Sequence, residues 1–173
     1  MFDSLQSDFV QPFSVISWQL ALLRLGMACV LGGLIGLERE IHDHAAGLRT
    51  HILIAMASCL FTLISFDLMG VPVPGADEET LRTDPLRLIE AVTAGVAFLA
   101  AGTIITQGAR VRGLTTGAGM WMAGAVGLTC GVGNLWLAGM ATGLALAVLW
   151  LLAGVSSMLN PDNGARTEAR KVD

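Results

Sequence analysis

The sequence predicts an all-α polytopic membrane protein, a bundle of about five transmembrane helices. Hydrophobic residues make up 54% of the 173 positions, charged residues only 14%, and the mean hydropathy is +0.67. No charged residue occurs from position 113 to 161, which is enough for two crossings because each takes about 20 residues. This balance excludes an ordinary soluble enzyme, and no basic face indicates nucleic-acid binding.

Five apolar segments are predicted as spanning helices, at residues 18–37, 52–69, 89–105, 113–130 and 135–155. The first opens with Trp18, a residue type that favours the membrane interface. The third is expected to start early, because Asp84 and Pro85 suit the N-cap and first helical positions. Residues 70–88 are predicted as a solvent loop, 107–112 as a short basic turn, and 131–134 as a tight turn.

The predicted domain organisation is an external N-terminal tail at 1–17, a transmembrane domain at 18–155 and a cytoplasmic tail at 156–173. Outer segments hold only Arg82 and Arg87. Inner segments hold seven basic residues: Arg39, Arg49, Arg110, Arg112, Arg166, Arg170 and Lys171. The positive-inside rule therefore predicts an N-out, C-in orientation. The first seventeen residues lack the basic region and cleavage site of a signal peptide, so they are expected to be retained.

Polar residues concentrate at the predicted inner ends of the helices, above all in the stretch 32–50, GGLIGLEREIHDHAAGLRT. We interpret them as a functional polar cluster, in which Glu38 is expected to meet Arg49 and Arg112. Helix N-termini at 48–51 and 113–116 favour a carboxylate there. The alternative is a solvated charged rim whose ion pairs contribute little. The full predicted set is Glu38, Arg39, Glu40, Arg49, Thr50, His51, Arg112, Thr115 and Thr116.

A second polar group is predicted toward the outer side. Arg24 lies six residues into the first helix, where it either snorkels to the interface or pairs with Asp67 or Glu90. A cluster of Arg24, Asp67, Asp84 and Glu90 would offset the cost of burying the charge, and it could equally form a polar vestibule.

Small residues are predicted to mediate close helix packing, within one subunit or between subunits, because they let backbones approach. The positions are Gly32, Gly36, Gly95, Gly102, Gly139 and Gly143. We expect a homo-oligomer, with a dimer favoured. No catalytic motif or cofactor-binding motif is found. His42 and His44 could in principle bind a metal, but two histidines in a loop are more often solvated, so no metal site is predicted.

Several motifs in the same order resemble the MgtC/SapB family of bacterial inner-membrane proteins, over about residues 20–151. They are GGLIGLERE at 32–40, AGLRTHILIA at 46–55, DPLRL at 84–88, GVAFLAAGTII at 95–105 and VRGLTTGAGMWMAGAVGLTCGVG at 111–133. Ala97 and Ala101 stand where the family usually has glycine, Ala91 where it often has glutamine, and Thr115 where some members have asparagine.

The resemblance implies a multi-pass protein of the inner membrane linked to magnesium limitation, acid adaptation or virulence. It also implies regulation of membrane machinery, including the ATP synthase, and a short form without the soluble C-terminal domain of some members. Our leading hypothesis is a non-enzymatic regulator that acts by binding partners. The competing hypothesis is a transporter or channel for an ion such as Mg²⁺ or for a small solute, with intramembrane charges lining its path. A hydrolase is a distant third.

Overall fold

The structure is a computed structural model that describes residues 16–69, 85–107 and 110–159. These residues form five helices and one short hairpin. The helices are α1 (Trp18–Ile41), α2 (Leu48–Met69), α3 (Pro85–Thr103), α4 (Leu114–Val132) and α5 (Leu135–Leu159). Asp84 lies outside the described residues, as do most residues of the two predicted tails. The prediction of an all-α membrane helix bundle is confirmed.

Two helix boundaries differ from the sequence prediction where they bear on the site. Helix α1 continues to Ile41, and α2 begins at Leu48, so the charged connection shortens to six residues, 42–47. Glu38, Arg39 and His51 are therefore helical and not in a loop. The prediction ended the helices at the charged residues, but Glu and Arg are good helix formers and tertiary contacts pair or bury these side chains.

The basic turn predicted at 107–112 is part of an antiparallel hairpin. Strands β1 (Ile105–Gln107) and β2 (Arg110–Arg112) pair in the register Ile105 to Arg112. The prediction was wrong about this segment because α3 ends at Thr103, where β-branched residues begin that favour an extended backbone. Gly113 follows with a positive φ of 88°, and α4 starts at the next residue.

Helix α4 lies at the centre of the bundle, in contact with all four other helices. Its small residues allow this position. A Cβ atom on Gly127 would overlap the carbonyl oxygen of Ala55, so only glycine lets α2 approach so closely here. One buried cluster joins α1, α2, α4 and α5, and another joins α2, α3 and α4. The fold therefore fixes both ends of α4 against α1 and α2.

Three helices are long and apolar enough to cross a membrane: Trp18–Ile41, Leu48–Leu68 and Leu86–Thr103. Within the part of the chain that the structure describes, Leu135–Leu151 is a shorter apolar helical segment. Large apolar side chains such as Phe98, Trp136 and Leu151 are exposed on the outside of the bundle. This is the surface expected of a protein whose solvent is lipid.

Candidate functional site

The candidate site lies where the C-terminal end of α1 meets the N-terminal ends of α2 and α4. Glu38 and Arg39 are adjacent in α1 and are only 5% and 3% exposed. Arg39 Nη1 donates to Glu38 Oε2 at 3.3 Å. Arg39 Nη2 donates to Thr115 Oγ1 at 3.1 Å, which connects α1 to the first turn of α4. A charge buried this deeply requires a partner, and each member supplies one for the other.

His42 extends this pair toward the surface. Its Nδ1 lies 2.8 Å from the backbone oxygen of Glu38 and 3.3 Å from the Glu38 carboxylate. His42 is nearly half exposed, so it covers the carboxylate while remaining accessible. Nearby, partial burial and the positive charge of Arg39 lower the pKa of His44. The loop histidines therefore belong to the surroundings of the ion pair, and the searched residues contain no group of three potential metal ligands.

His51 is completely buried behind the pair. Its Nδ1 donates to the Gly47 carbonyl oxygen at 2.8 Å, which leaves Nε2 as the acceptor. A Cβ atom on Gly119 would lie 3.0 Å from His51 Nε2 and 4.0 Å from Arg39 Cδ. The His51 and Arg39 side chains therefore both pack against Gly119. Within the described residues, neither His51 Nε2 nor Arg39 Nε has a hydrogen-bond partner. Most buried polar atoms in proteins have such a partner.

Glu40 has a structural role that the sequence analysis did not identify. Its Oε2 accepts the backbone N–H of Leu48 at 2.9 Å, so a carboxylate from the end of α1 caps the start of α2. The Glu40 side chain also packs over Gly47, where a Cβ atom would overlap it. A carboxylate shortly before the apolar start of α2 was the available sequence signal.

The remaining residues of the predicted polar cluster divide into buried and exposed members. Thr116 is buried, Thr50 is half-buried, and Arg49 and Arg112 are exposed. The described ion partners of Glu38 are Arg39 and His42. The expected meeting of Glu38 with Arg49 and Arg112 is therefore corrected. Neighbours in sequence do not usually face each other on a helix, which is why the Arg39 partner was missed.

The predicted outer group is arranged around α4. Arg24 is half-buried, and its Nη1 donates to the Gly131 carbonyl oxygen at 2.7 Å. Gly133 ends α4 with a positive φ of 97°, and the guanidinium packs against it. Asp67 is half-buried on α2, and Glu90 is exposed on α3. The described hydrogen bond of Arg24 is therefore to a helix carbonyl.

The predicted packing glycines also separate into two groups. A Cβ atom on Gly32 would lie 2.6 Å from Ala55 Cβ, and one on Gly36 would lie 2.8 Å from Leu48 Cα. These two glycines therefore bring α1 against α2 within the subunit. The others have no neighbouring atom within 4 Å of a built Cβ: Gly95, Gly102, Gly139 and Gly143.

The fold and the site define a small all-α membrane protein with a buried charged pair at one end of its bundle. The family model described as the MgtC family matches residues 25–158, and the chain belongs to that family. It is 37% identical to Protein MgtC of Brucella abortus over 135 residues, 78% of this chain and 52% of that protein.

Two further relatives extend the comparison. Protein SapB of Bacillus subtilis is 38% identical over 123 residues, 69% of this chain and 52% of the relative. A protein of Escherichia coli K12, named "Putative magnesium transporter YhiD", is 37% identical over 116 residues, 65% of this chain and 51% of the relative. The chain spans about half the length of the curated relatives it matches. No solved structure is significantly similar.

Proposed function

We propose that this chain is a non-enzymatic, multi-pass protein of the bacterial inner membrane that regulates other membrane machinery by binding it. Five crossings with the N-terminus outside place the Glu38–Arg39 site at the cytoplasmic surface, in agreement with the excess of basic residues there. The cellular context is magnesium limitation, acid adaptation or virulence, as in the family. The ATP synthase is one candidate partner.

The observation that carries this proposal is the enclosure of the charged pair. Glu38 and Arg39 are held by each other, Arg39 also donates to Thr115, and both side chains are almost fully buried. The groove that Glu38 borders, between α1 and α5, is otherwise apolar. Charges enclosed in this way favour a fixed binding surface over a water-filled path. A partner would meet the exposed neighbours Glu40, His42 and Thr115.

Transport of Mg²⁺ is the second candidate, because one relative carries a magnesium transporter's name. Reconstitution of the full chain into liposomes containing a magnesium-sensitive dye separates the two. A regulator gives Mg²⁺ entry equal to that of protein-free liposomes, with and without an inside-negative potential. Mg²⁺ entry that rises with protein content and falls in Glu38→Gln would show that the protein is a transporter and contradict the regulatory proposal.

We also propose that the protein is a homodimer formed through the open glycine positions of α5. Gly139 and Gly143 have free space beside them, whereas Gly36 is already filled by α2. Gly143→Leu should therefore reduce the dimer fraction in detergent without lowering the thermal stability of the monomer. An unchanged dimer fraction would show that α5 does not form the interface. A monomeric wild type would show that the protein is not a homodimer.

A further inference from the structure

A groove between α3 and α4 opens on the outside of the bundle. It has a volume of about 610 Å³, and apolar residues and glycine line it throughout. Helix α3 contributes Ala97 and Ala101, Ile104 follows its last residue, and helix α4 contributes Leu114, Trp121 and Ala125. Among its large lining residues, Ile104, Leu114 and Trp121 have exposed side chains. An apolar groove of this size suits a hydrocarbon chain.

The length of the groove matches one leaflet of a bilayer. Leu114 is the first residue of α4, and Ala125 lies eleven residues further along the helix. At about 1.5 Å per residue the groove is therefore roughly 16 Å long. The hydrocarbon core is about 30 Å thick, so one leaflet contributes about 15 Å. With Leu114 at the membrane surface, as the five-crossing topology predicts, the groove would reach about the middle of the membrane.

The mouth of the groove is positively charged. Arg112 is exposed, two residues before Leu114 and paired in the hairpin with Ile105, next to Ile104. A Cβ atom on Gly113 would overlap the Thr103 carbonyl oxygen, so the hairpin is held tightly against the helix ends beside the mouth. Thr115 is exposed there, and the buried Arg39 guanidinium donates to its hydroxyl from behind. The unpaired N–H groups at the start of α4 add positive potential.

The sequence provides no opposing charge along this groove. No Asp or Glu occurs between Glu90 and Asp162, a range that contains the hairpin, all of α4 and all of α5. A second groove on the opposite side of α3, with a volume of about 510 Å³, differs in this respect. Leu88, one of its lining residues, lies between Arg87 and Glu90, both exposed, so that end carries mixed charge. Of these two grooves, only the α3–α4 groove combines an apolar length with an exposed arginine and no carboxylate in the segments that form it. The Glu38 carboxylate behind Thr115 is buried and paired with Arg39.

We propose that the α3–α4 groove binds an anionic phospholipid, with one acyl chain between α3 and α4 and its phosphate at Arg112 and the first turn of α4. The inference uses the membrane placement of the bundle, and it stands apart from the proposed regulatory function. The lipid would occupy the surface beside Thr115 and thus contact the same end of α4 as the buried Glu38–Arg39 pair.

Native mass spectrometry of the full chain in detergent tests the headgroup. The protein is given equal amounts of phosphatidylglycerol and phosphatidylethanolamine with identical acyl chains. We expect about fivefold more phosphatidylglycerol retained, because one interfacial arginine favours anionic lipid to about that extent. Arg112→Gln should reduce the ratio to about one. Arg87→Gln, the matched exposed arginine beside the other groove, should leave it unchanged.

The acyl-chain part is tested by filling the groove. Ala118 is exposed and lines it, so Ala118→Trp should remove most retained lipid, and the smaller Ala118→Leu should remove part of it. Ala91→Trp, in the groove on the other side of α3, is the control and should retain lipid normally. Thermal melting of each variant establishes that it is folded.

Four results would overturn the proposal. Equal retention of the two lipids by the wild type would show that the site has no headgroup specificity. A fall in the lipid ratio in Arg87→Gln as large as that in Arg112→Gln would show that the specificity does not come from Arg112. Normal retention by a folded Ala118→Trp variant would remove the groove. Displacement of bound phosphatidylglycerol by millimolar inorganic phosphate would identify a soluble anion site in place of a lipid site. None of these outcomes depends on whether the protein regulates a partner.

Discussion

Helix α1 places one arginine at each end of α4, and the two arginines meet opposite ends of the helix dipole. Arg24 donates to the carbonyl oxygen of Gly131 at the C-terminal end, where the helix dipole is negative and favours a cation. Arg39 contacts Thr115 in the first turn, where the dipole is positive and opposes it. Arg39 is stable there because Glu38 accompanies it. One arginine is explained by helix capping, and the other requires a different explanation.

The difference indicates where function lies. The C-terminal end of α4 follows a common capping pattern, in which Gly133 donates to Cys130 and Asn134 donates to Thr129. Arg24 completes it by bonding the next carbonyl. The N-terminal end has a buried ion pair and a buried histidine. Both ends have buried polar atoms without a described partner, Arg39 Nε and His51 Nε2 at this end and Arg24 Nε at the other. Burying an ion pair is often no better for stability than apolar packing, so this end has a feature that folding does not require.

The largest effect is expected from separating the buried pair. Arg39→Met should cost about 3 to 5 kcal/mol, because it leaves the Glu38 carboxylate buried without its cation. Glu38→Leu combined with Arg39→Met should recover most of that loss, since two apolar residues then replace two charges. Denaturation in mild detergent, followed by tryptophan fluorescence, measures both. If the double variant were as unstable as the single, the pair would be a requirement of the fold.

A smaller effect is expected at the other end of α4. Arg24→Met removes a charge-assisted hydrogen bond to a helix carbonyl and should cost about 1 to 3 kcal/mol. Arg24→Lys should be milder, because an ammonium group still favours a helix C-terminus. The same denaturation assay applies, and growth under limiting Mg²⁺ should remain normal for both. Loss of growth by a stable Arg24→Lys variant would contradict a purely structural role.

The smallest effect is expected for the cap of α2. Glu40→Ala should cost about 1 kcal/mol, because the N–H of Leu48 loses its acceptor. Glu40→Gln keeps an amide oxygen in place and should recover part of that loss. Hydrogen exchange of the first α2 amides reports the change locally. Equal exchange in Glu40→Ala and the wild type would mean that the carboxylate does not cap the helix.

The sequence predicted the helical bundle, most helix positions and the Gly32 and Gly36 packing face, because apolar length and small-residue spacing are local signals. It also selected Glu38, Arg39, His51 and Thr115 as members of one polar cluster. It assigned the wrong partners to Glu38, since the pairing depends on α1 continuing to Ile41. Glu and Arg are good helix formers, but the extension also depends on tertiary contacts such as the hydrogen bond from Arg39 to Thr115, which no local pattern specifies.

The hydrogen-bond partner of Arg24 could not be predicted from the sequence either. Arg24 was expected either to snorkel to the interface or to pair with Asp67 or Glu90, and neither alternative included its hydrogen bond to the Gly131 carbonyl oxygen. Backbone acceptors at helix ends are present in every helix and leave no distinguishing residue type. Arg112 was assigned to the same polar cluster as Glu38, but its exposure and its place beside the α3–α4 groove became visible only with the hairpin.

The central claim is that the buried pair at the N-terminal end of α4 carries function while the arginine at the other end carries stability. The most direct test is growth in limiting Mg²⁺ of a bacterial strain that lacks its own MgtC-family protein and expresses either variant at equal membrane abundance. The stable Glu38→Leu/Arg39→Met double variant should fail to support growth, and Arg24→Lys should support it. Growth with the double variant equal to that of the wild type would contradict the claim.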